Sequence, residues 1–118
     1  NRYEEHLLKQ QSAGVEIIER CGRPSVALIA DFFHMHIEES STPKALRAAR
    51  KHVRHMHLAD NTRMEPGTGD IDFKASFSVL KEIGFTGFMA YECGVTGPDR
   101  AASLAASITF IQNCIATC

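Results

Sequence analysis

The sequence predicts an α/β fold in which parallel strands alternate with helices. Segments with the apolar spacing of helices alternate with short strand-like segments along the whole chain. The first strand candidate is apolar on both faces, as expected for a strand covered on two sides. Right-handed crossovers would join such strands into one parallel sheet. We therefore predict about three parallel strands alternating with four helices, beginning and ending with a helix.

The first helix is predicted over residues 3–21 and is ended by Gly22. Its apolar stripe consists of Leu7, Leu8, Val15, Ile17 and Ile18. A turn at residues 23–25 follows. Residues 26–30 then form a continuous apolar run that stops abruptly at Asp31, and we assign the first strand to this run.

The second helix is predicted over residues 44–51, because residues 41–43 supply a capping hydroxyl and a proline for its first turn. Residues 53–58 alternate between apolar and polar side chains, as a strand does, and this strand breaks at residues 60–61. The loop that follows, residues 63–70, is rich in glycine and other helix breakers.

The third helix is predicted over residues 72–83, which are closed by Gly84. Its apolar positions are Phe73, Phe77, Leu80 and Ile83. Residues 88–92 form the third strand candidate between two glycines, and residues 99–114 the fourth helix.

Composition excludes several classes of protein. Thirteen Lys and Arg against 14 Asp and Glu leave a formal net charge of −1, so the chain lacks the basic surface that nucleic acids and anionic membranes require. The four cysteines form no CxxC pair, and we expect reduced thiols in a cytoplasmic protein. Because the chain opens on Asn1 and enters a helical pattern at once, we expect it to be part of a longer parent protein.

Three chemically versatile residues, Asp31, His57 and Glu92, each lie at the end of a predicted strand. The carboxyl ends of parallel strands share one edge of the sheet, where α/β folds assemble their sites. Two carboxylates and one imidazole that converge there would suit a divalent metal such as Mn²⁺, Mg²⁺ or Co²⁺. The spacing therefore indicates a metal site at this edge.

Simpler explanations apply to each residue alone. An acidic residue after a strand commonly forms a turn or caps the next helix, and a histidine that ends a strand is more often a packed side chain than a ligand. Three such residues in consecutive units favour a shared site. His55 has the same strand parity as His57 and would point into the same interior, and we assign it to the core.

Four sequence blocks give the chain a family resemblance. Residues 31–39, DFFHMHIEE, resemble the D-x-F-H-M-x-I-E-E signature of the sugar isomerase and epimerase superfamily, with its xylose isomerase-like barrel, which includes the ketose 3-epimerases. Residues 55–69 are similar to the H-x-H-x-x-x-x-x-R and P-G-x-G segment of that group. Tyr91-Glu92 resembles its closing strand glutamate, and residues 1–4 its N-R-Y/F-E element.

The resemblance implies a fold and a set of site residues. The fold would be a (β/α)₈ TIM barrel, of which residues 1–118 would be the C-terminal part of a single domain whose N-terminal half is absent from this sequence. The resemblance implies that the metal is held by Asp31, His57 and Glu92, with Mn²⁺ expected first. It implies that Glu92 is also catalytic. It further implies that the sugar is bound by Glu4, His34 and Arg63.

The resemblance also implies an activity, that of a metal-dependent sugar isomerase or epimerase. Such an enzyme abstracts a proton next to a ketose carbonyl through a metal-stabilised enediolate, and we expect a homo-oligomer with a small sugar as its substrate. The family's other catalytic glutamate would fall upstream of Asn1, so the resemblance implies that the 118 residues alone contain one of the two catalytic carboxylates. Residues 69–73 depart from the ketose 3-epimerase pattern and favour the broader superfamily.

Two alternatives remain open at the level of sequence. A metal-dependent endonuclease that acts at abasic DNA sites shares the barrel and its metal face, although the net charge of −1 counts against DNA binding. The chain could also be a non-catalytic folding unit that pairs with a copy of itself through open strand edges.

Overall fold

The computed structural model describes residues 1–118 and shows a three-stranded parallel sheet with five helices. The strands are β1 (Leu28–Asp31), β2 (Val53–Leu58) and β3 (Phe88–Tyr91). The helices are α1 (Gln11–Cys21), α2 (Phe32–Glu38), α3 (Thr42–Ala49), α4 (Phe73–Glu82) and α5 (Arg100–Ala116). No helix combines the length and the apolar composition that crossing a bilayer requires.

The order of the strands in the sheet is β1-β2-β3, so β2 lies in the centre. The register places Asp31 directly beside His57 and His57 directly beside Ala90. The carboxyl ends of all three strands therefore lie at the same edge of the sheet. The predicted α/β fold with three parallel strands is confirmed.

The hydrophobic core lies between one face of the sheet and the helices packed on it. The apolar side of β2 contributes Met56 and Leu58, both buried. An aromatic cluster fills the space beyond them, with the Phe32 ring 5.0 Å from that of Phe73 and 5.8 Å from that of Phe77. Aromatic rings at these separations add to the stability gained by burying their area. The core thus fixes β2 and the start of α2, which carry two of the predicted site residues.

The opposite face of the sheet is open. Ile29, His55 and Phe88 lie side by side in the register, and so share this face. Ile29 is 55% exposed and Phe88 is 82% exposed. Apolar side chains in the middle of a parallel sheet are normally covered on both faces. His55 lies on this open face together with His57, as its strand parity predicted. It is half-buried, and its ring centroid is 5.0 Å from that of His57.

Two predictions about helices were wrong. The first helix begins at Gln11 rather than at residue 3, and residues 2–10 are exposed. Leu7 is 90% exposed, so an apolar stripe that ran through it would have nothing to pack against. The contacts that hold residues 1–10 are polar, and they favour an irregular segment over a helix.

The predicted count of four helices was wrong because α2 follows β1 immediately. The side chain of Asp31 accepts a hydrogen bond from the backbone N–H of His34 and so caps this helix. Phe32 and Met35, three positions apart, are both buried beneath it. The remaining helices and strands lie within two residues of their predicted bounds, and all four cysteines are free.

Candidate functional site

Asp31 enters the site from the end of β1. Its Oδ1 caps α2 by accepting from the N–H of His34 at 3.1 Å, while its Oδ2 lies 3.5 Å from Nδ1 of His57. The side chain is 10% exposed. The same carboxylate therefore caps the helix with one oxygen and faces the imidazole of the neighbouring strand with the other. Both interpretations of Asp31 from the sequence, a helix cap and a metal ligand, are compatible with this geometry.

Glu92 completes the group from the residue after β3. Its backbone N–H donates to the carbonyl of Leu58 at 3.1 Å, which continues the hydrogen-bond pattern of the sheet by one residue. Its Oε2 lies 3.2 Å from Nδ1 of His57. The three side chains that were predicted to converge from separate strands do meet around this imidazole nitrogen, and whether they bind a metal remains a prediction.

The electrostatics of this group favour a bound cation. Burial raises the pKa of the Asp31 carboxyl, the capping hydrogen bond from His34 opposes the rise, and the nearby carboxyl of Glu92 adds to it. Two carboxylates held together in a half-buried place repel each other, and a divalent cation between them would offset that repulsion. Carboxylate oxygen and imidazole nitrogen are donors that Mn²⁺, Mg²⁺ and Co²⁺ accept, so the residues present fit such a metal.

His34, on the first turn of α2, also belongs to this group. One ligand atom each from Asp31, His34 and Glu92 lie within 4.8 Å of one another. The Nε2 of His34 is 3.7 Å from Oε2 of Glu4, and its Nδ1 is 3.1 Å from Nδ2 of Asn1. Sequence reasoning assigned His34 to the sugar alone, and the structure makes it a further candidate donor to a cation. The signal in the sequence is its position three residues after Asp31.

Arg63 connects the predicted sugar-binding residues to the predicted catalytic one. Its guanidinium forms an ion pair with Glu4, and its Nη2 lies 3.9 Å from Oε2 of Glu92. The guanidinium carbon is 5.0 Å from the centre of the Phe33 ring, a cation–π distance. Burial opposes the ionisation of Glu4, but its hydrogen bond and charge attraction with Arg63 outweigh burial and lower its pKa. Five of the six predicted site residues thus form one connected polar group, and His57 contacts this group through both Asp31 and Glu92.

A buried aspartate that sequence reasoning did not single out organises the loop that carries Arg63. Asp60 is 1% exposed. Its carboxylate accepts from the backbone N–H groups of Asn61 and Gly67, both at 2.9 Å, and of Ile71 at 3.2 Å. A Cβ at Gly69 would overlap the side chains of Asp60 and Asn61, so only glycine fits there. The available signal was an aspartate directly before a glycine-rich loop.

A second buried carboxylate joins this loop to the one after β3. Glu65 accepts from the backbone N–H of Thr96 at 2.9 Å and from its hydroxyl. The hydroxyl of Thr96 is the main cause of the lowered pKa of Glu65. The N–H of Gly94 donates to the carbonyl of Arg63 at 2.9 Å, and Arg63 itself has a positive φ of 60°. The two loops therefore hold Arg63 in a conformation that an arginine rarely adopts.

Comparison with known proteins adds a family to this geometry. The family model described as the xylose isomerase-like TIM barrel matches residues 1–114. The 3-dehydro-D-guloside 4-epimerase of Escherichia coli (strain K12) is 33% identical over 114 residues, which cover 97% of this chain and 44% of that enzyme. The L-ribulose 3-epimerase of Mesorhizobium japonicum is 36% identical over 92 residues, which cover 78% of this chain and 31% of that enzyme.

A solved structure is similar over the same span. The crystal structure of a 3-keto-D-glucoside 4-epimerase from E. coli, in its apo form, superposes with a TM-score of 0.93 at 33% identity. The match covers 97% of this chain and 43% of that one. The chain thus spans less than half the length of the curated relatives it matches.

Proposed function

The chain belongs to the xylose isomerase-like TIM barrel family, and on that premise we propose that it is part of a metal-dependent sugar epimerase. The two curated relatives described above are epimerases, and their names place the inverted carbon at position 4 of a 3-dehydro sugar and at position 3 of a ketose. In both cases that carbon is adjacent to a carbonyl. The observation that carries the proposal is the convergence of Asp31, Glu92 and the His57 imidazole at one edge of the sheet.

We propose further that residues 1–118 form the C-terminal part of a single TIM barrel. The open face of the sheet supports this, because Ile29 and Phe88 are exposed where a barrel would have its packed interior. The chain's match to less than half of each relative supports it as well. The parent protein would supply the remaining strands.

In this proposal Asp31, His57 and Glu92 hold a divalent cation, with Mn²⁺ expected first and Mg²⁺ or Co²⁺ as alternatives, and His34 lies close enough to take part. A cation bound there supplies Lewis-acid stabilisation of the negative charge that develops on the sugar oxygens, an effect of several kcal/mol.

Glu92 is proposed to move the proton. A hydrogen on the carbon beside a carbonyl is only weakly acidic, and a carboxylate removes it when the developing enediolate is stabilised. Nδ1 of His57 and Nη2 of Arg63 both lie close to Oε2 of Glu92, at 3.2 and 3.9 Å, and so restrict the orientation of its carboxylate. Inversion requires a second proton donor on the opposite face of the planar enediolate, which we assign to the rest of the parent protein.

Glu4, His34 and Arg63 are proposed to bind the sugar hydroxyls. Arg63 offers several N–H donors in a fixed plane, and Glu4 offers carboxylate acceptors beside them. Hydroxyls both donate and accept, so this pair matches neighbouring hydroxyl groups on one sugar.

The test is Glu92→Gln in the parent protein. At saturating Mn²⁺ we expect turnover to fall by at least about 10²- to 10⁴-fold, the usual loss for a general base. Deuterium uptake from D₂O into the carbon beside the carbonyl, followed by NMR, should fall in parallel. Glu82→Gln is the matched control. Glu82 is the last residue of α4 and pairs with Arg47 rather than with a proposed site residue, so both rates should be unchanged.

Near-wild-type turnover in Glu92→Gln would contradict the assignment of the base. Incision of DNA containing an abasic site by the wild-type protein, without any sugar epimerisation, would favour the endonuclease alternative.

A further inference from the structure

Two sequence blocks contain charged residues that the proposed function leaves without a role. Arg2 belongs to the N-R-Y-E block at residues 1–4, and Glu38 to the paired glutamates that close the block at residues 31–39. In the structure these two residues meet. Glu38 is the last residue of α2, and its side chain is only 6% exposed. A carboxylate so covered needs partners, and Arg2 provides them.

The contact between them is a forked ion pair. Nε of Arg2 donates to Oε1 of Glu38 at 3.1 Å, and Nη2 donates to Oε2 at 3.2 Å. The same Nη2 donates to the carbonyl of Ile37 at 3.2 Å, and the backbone N–H of Arg2 donates to Oε1 as well. Bidentate pairing of this kind fixes direction as well as distance. Arg2 is therefore held to the end of α2 by both its side chain and its backbone.

The other end of the same segment is attached at the same place. Nε2 of Gln10 donates to the carbonyl of Glu38 at 2.9 Å, and the N–H of Gln11 donates to Oε1 of Glu39 at 2.7 Å. Residues 2–10 between these attachments are exposed, so no apolar side chain anchors them. Their position depends on polar contacts, of which those with the C-terminal end of α2 hold both ends of the segment and those of Glu4 with His34 and Arg63 hold its middle.

Glu4 lies inside this segment, two residues after Arg2. Its N–H donates to the carbonyl of Asn1 at 3.1 Å in a tight turn that encloses Arg2. Asn1 holds one side of this turn through His34, and Arg2 holds the other through Glu38, so a displacement of Arg2 would be transmitted to the Glu4 carboxylate. His34 and Glu38 are four residues apart on α2 and so share one side of that helix. A single short helix thus carries one proposed sugar-binding residue and holds the segment that carries another.

We propose that Glu38 is a positioning residue for sugar recognition, which fixes Glu4 opposite Arg63 and His34 through its ion pair with Arg2. This inference rests on the proposed function, because it gives Glu4 a sugar to bind. Glu38 itself touches neither the proposed metal ligands nor the proposed base. Its loss should weaken the binding of the sugar and spare the chemical step.

The experiment compares Glu38→Gln with Glu82→Gln in the parent protein. Glu82 forms a forked pair of the same donor pattern with Arg47, at 2.9 and 2.6 Å, between α3 and α4, although its side chain is 54% exposed. Its variant therefore loses the same kind of contact away from the site. We expect Glu38→Gln to raise KM for the sugar about tenfold while kcat stays within about threefold, the pattern of lost uniform binding. Glu82→Gln should change neither constant.

Amide hydrogen exchange gives a readout that does not depend on activity. Residues 3–8 should exchange faster in Glu38→Gln than in the wild type or in Glu82→Gln, because their attachment is loosened. Unchanged exchange, an unchanged KM, or a kcat that falls as far as KM rises would each overturn the inference. If the wild type epimerises no sugar, it is the proposed function that fails, and exchange then decides alone whether Glu38 holds the segment.

Discussion

The buried carboxylate of Asp60 provides a sharp test of how the site loop is held. Its Oδ1 accepts two backbone N–H groups, from Asn61 and Ile71, and its Oδ2 accepts one, from Gly67. Asp60→Asn replaces one of these oxygens with an NH₂ group. Whichever way the amide is turned, at least one backbone N–H loses its acceptor and faces another donor.

The magnitude follows from the number of partners lost. A buried polar group left without its hydrogen bond costs about 1–3 kcal/mol, so Asp60→Asn should lower the free energy of unfolding by about 2 kcal/mol. Asp72→Asn is the matched control, because Asp72 is exposed and accepts one N–H, that of Ala75 at 2.9 Å, as the cap of α4. Asparagine and aspartate cap helices about equally well, so we expect a change below about 0.5 kcal/mol.

Equilibrium unfolding in urea, followed by circular dichroism on the parent protein, measures both variants. Their m values should match that of the wild type, so that a difference in midpoint reports a difference in stability. If Asp60→Asn is no less stable than Asp72→Asn, the three backbone contacts do not hold the loop, and this explanation of how Arg63 is presented would be refuted.

The remaining predictions concern the metal and the sugar. Asp31→Ala and His57→Ala should each weaken Mn²⁺ binding at least about tenfold in a calorimetric titration, and affinities equal to that of the parent protein would show that the site is misplaced. Arg63→Lys should raise KM about tenfold, because an ammonium cannot reach Glu4 and Glu92 together as a planar guanidinium does. An unchanged KM would remove Arg63 from sugar binding.

The strand ends were predictable from the sequence because they combine two independent signals. Residues 53–58 alternate with a period of two, and β2 spans those residues in the structure. In a parallel sheet every carboxyl end lies at one edge, so a polar residue that ends each apolar run must approach its counterparts. Asp31 and His57 are register partners for this reason, and Glu92 follows one residue beyond β3. No knowledge of the loops was needed.

Residues 1–10 were predicted incorrectly because local periodicity contains no information about distant partners. Leu7 and Leu8 have helical spacing with the later apolar residues, and within the segment alone a helix is the better hypothesis. The decisive contacts come from Glu38, which is 36 positions from Arg2, and from Glu39, which is 28 positions from Gln11. A helix over residues 3–10 would move Arg2 away from Glu38 and Glu4 away from Arg63, and no residue within the segment signals the loss of these contacts.

Asp60 shows a different limit. Its partners are backbone N–H groups, which every residue but proline possesses, so the sequence marks them only indirectly, through the glycines that the turns require. Gly69 is such a mark, because the space its Cβ would need is taken by Asp60 and Asn61. From the sequence alone, a glycine-rich loop after a strand could be either flexible or fixed, and the position of the Asp60 carboxylate is needed to distinguish the two. Once Asp60 is buried among three donors, the same glycines become evidence for a single, fixed loop, and Arg63 can keep its left-handed backbone because the surrounding contacts determine it.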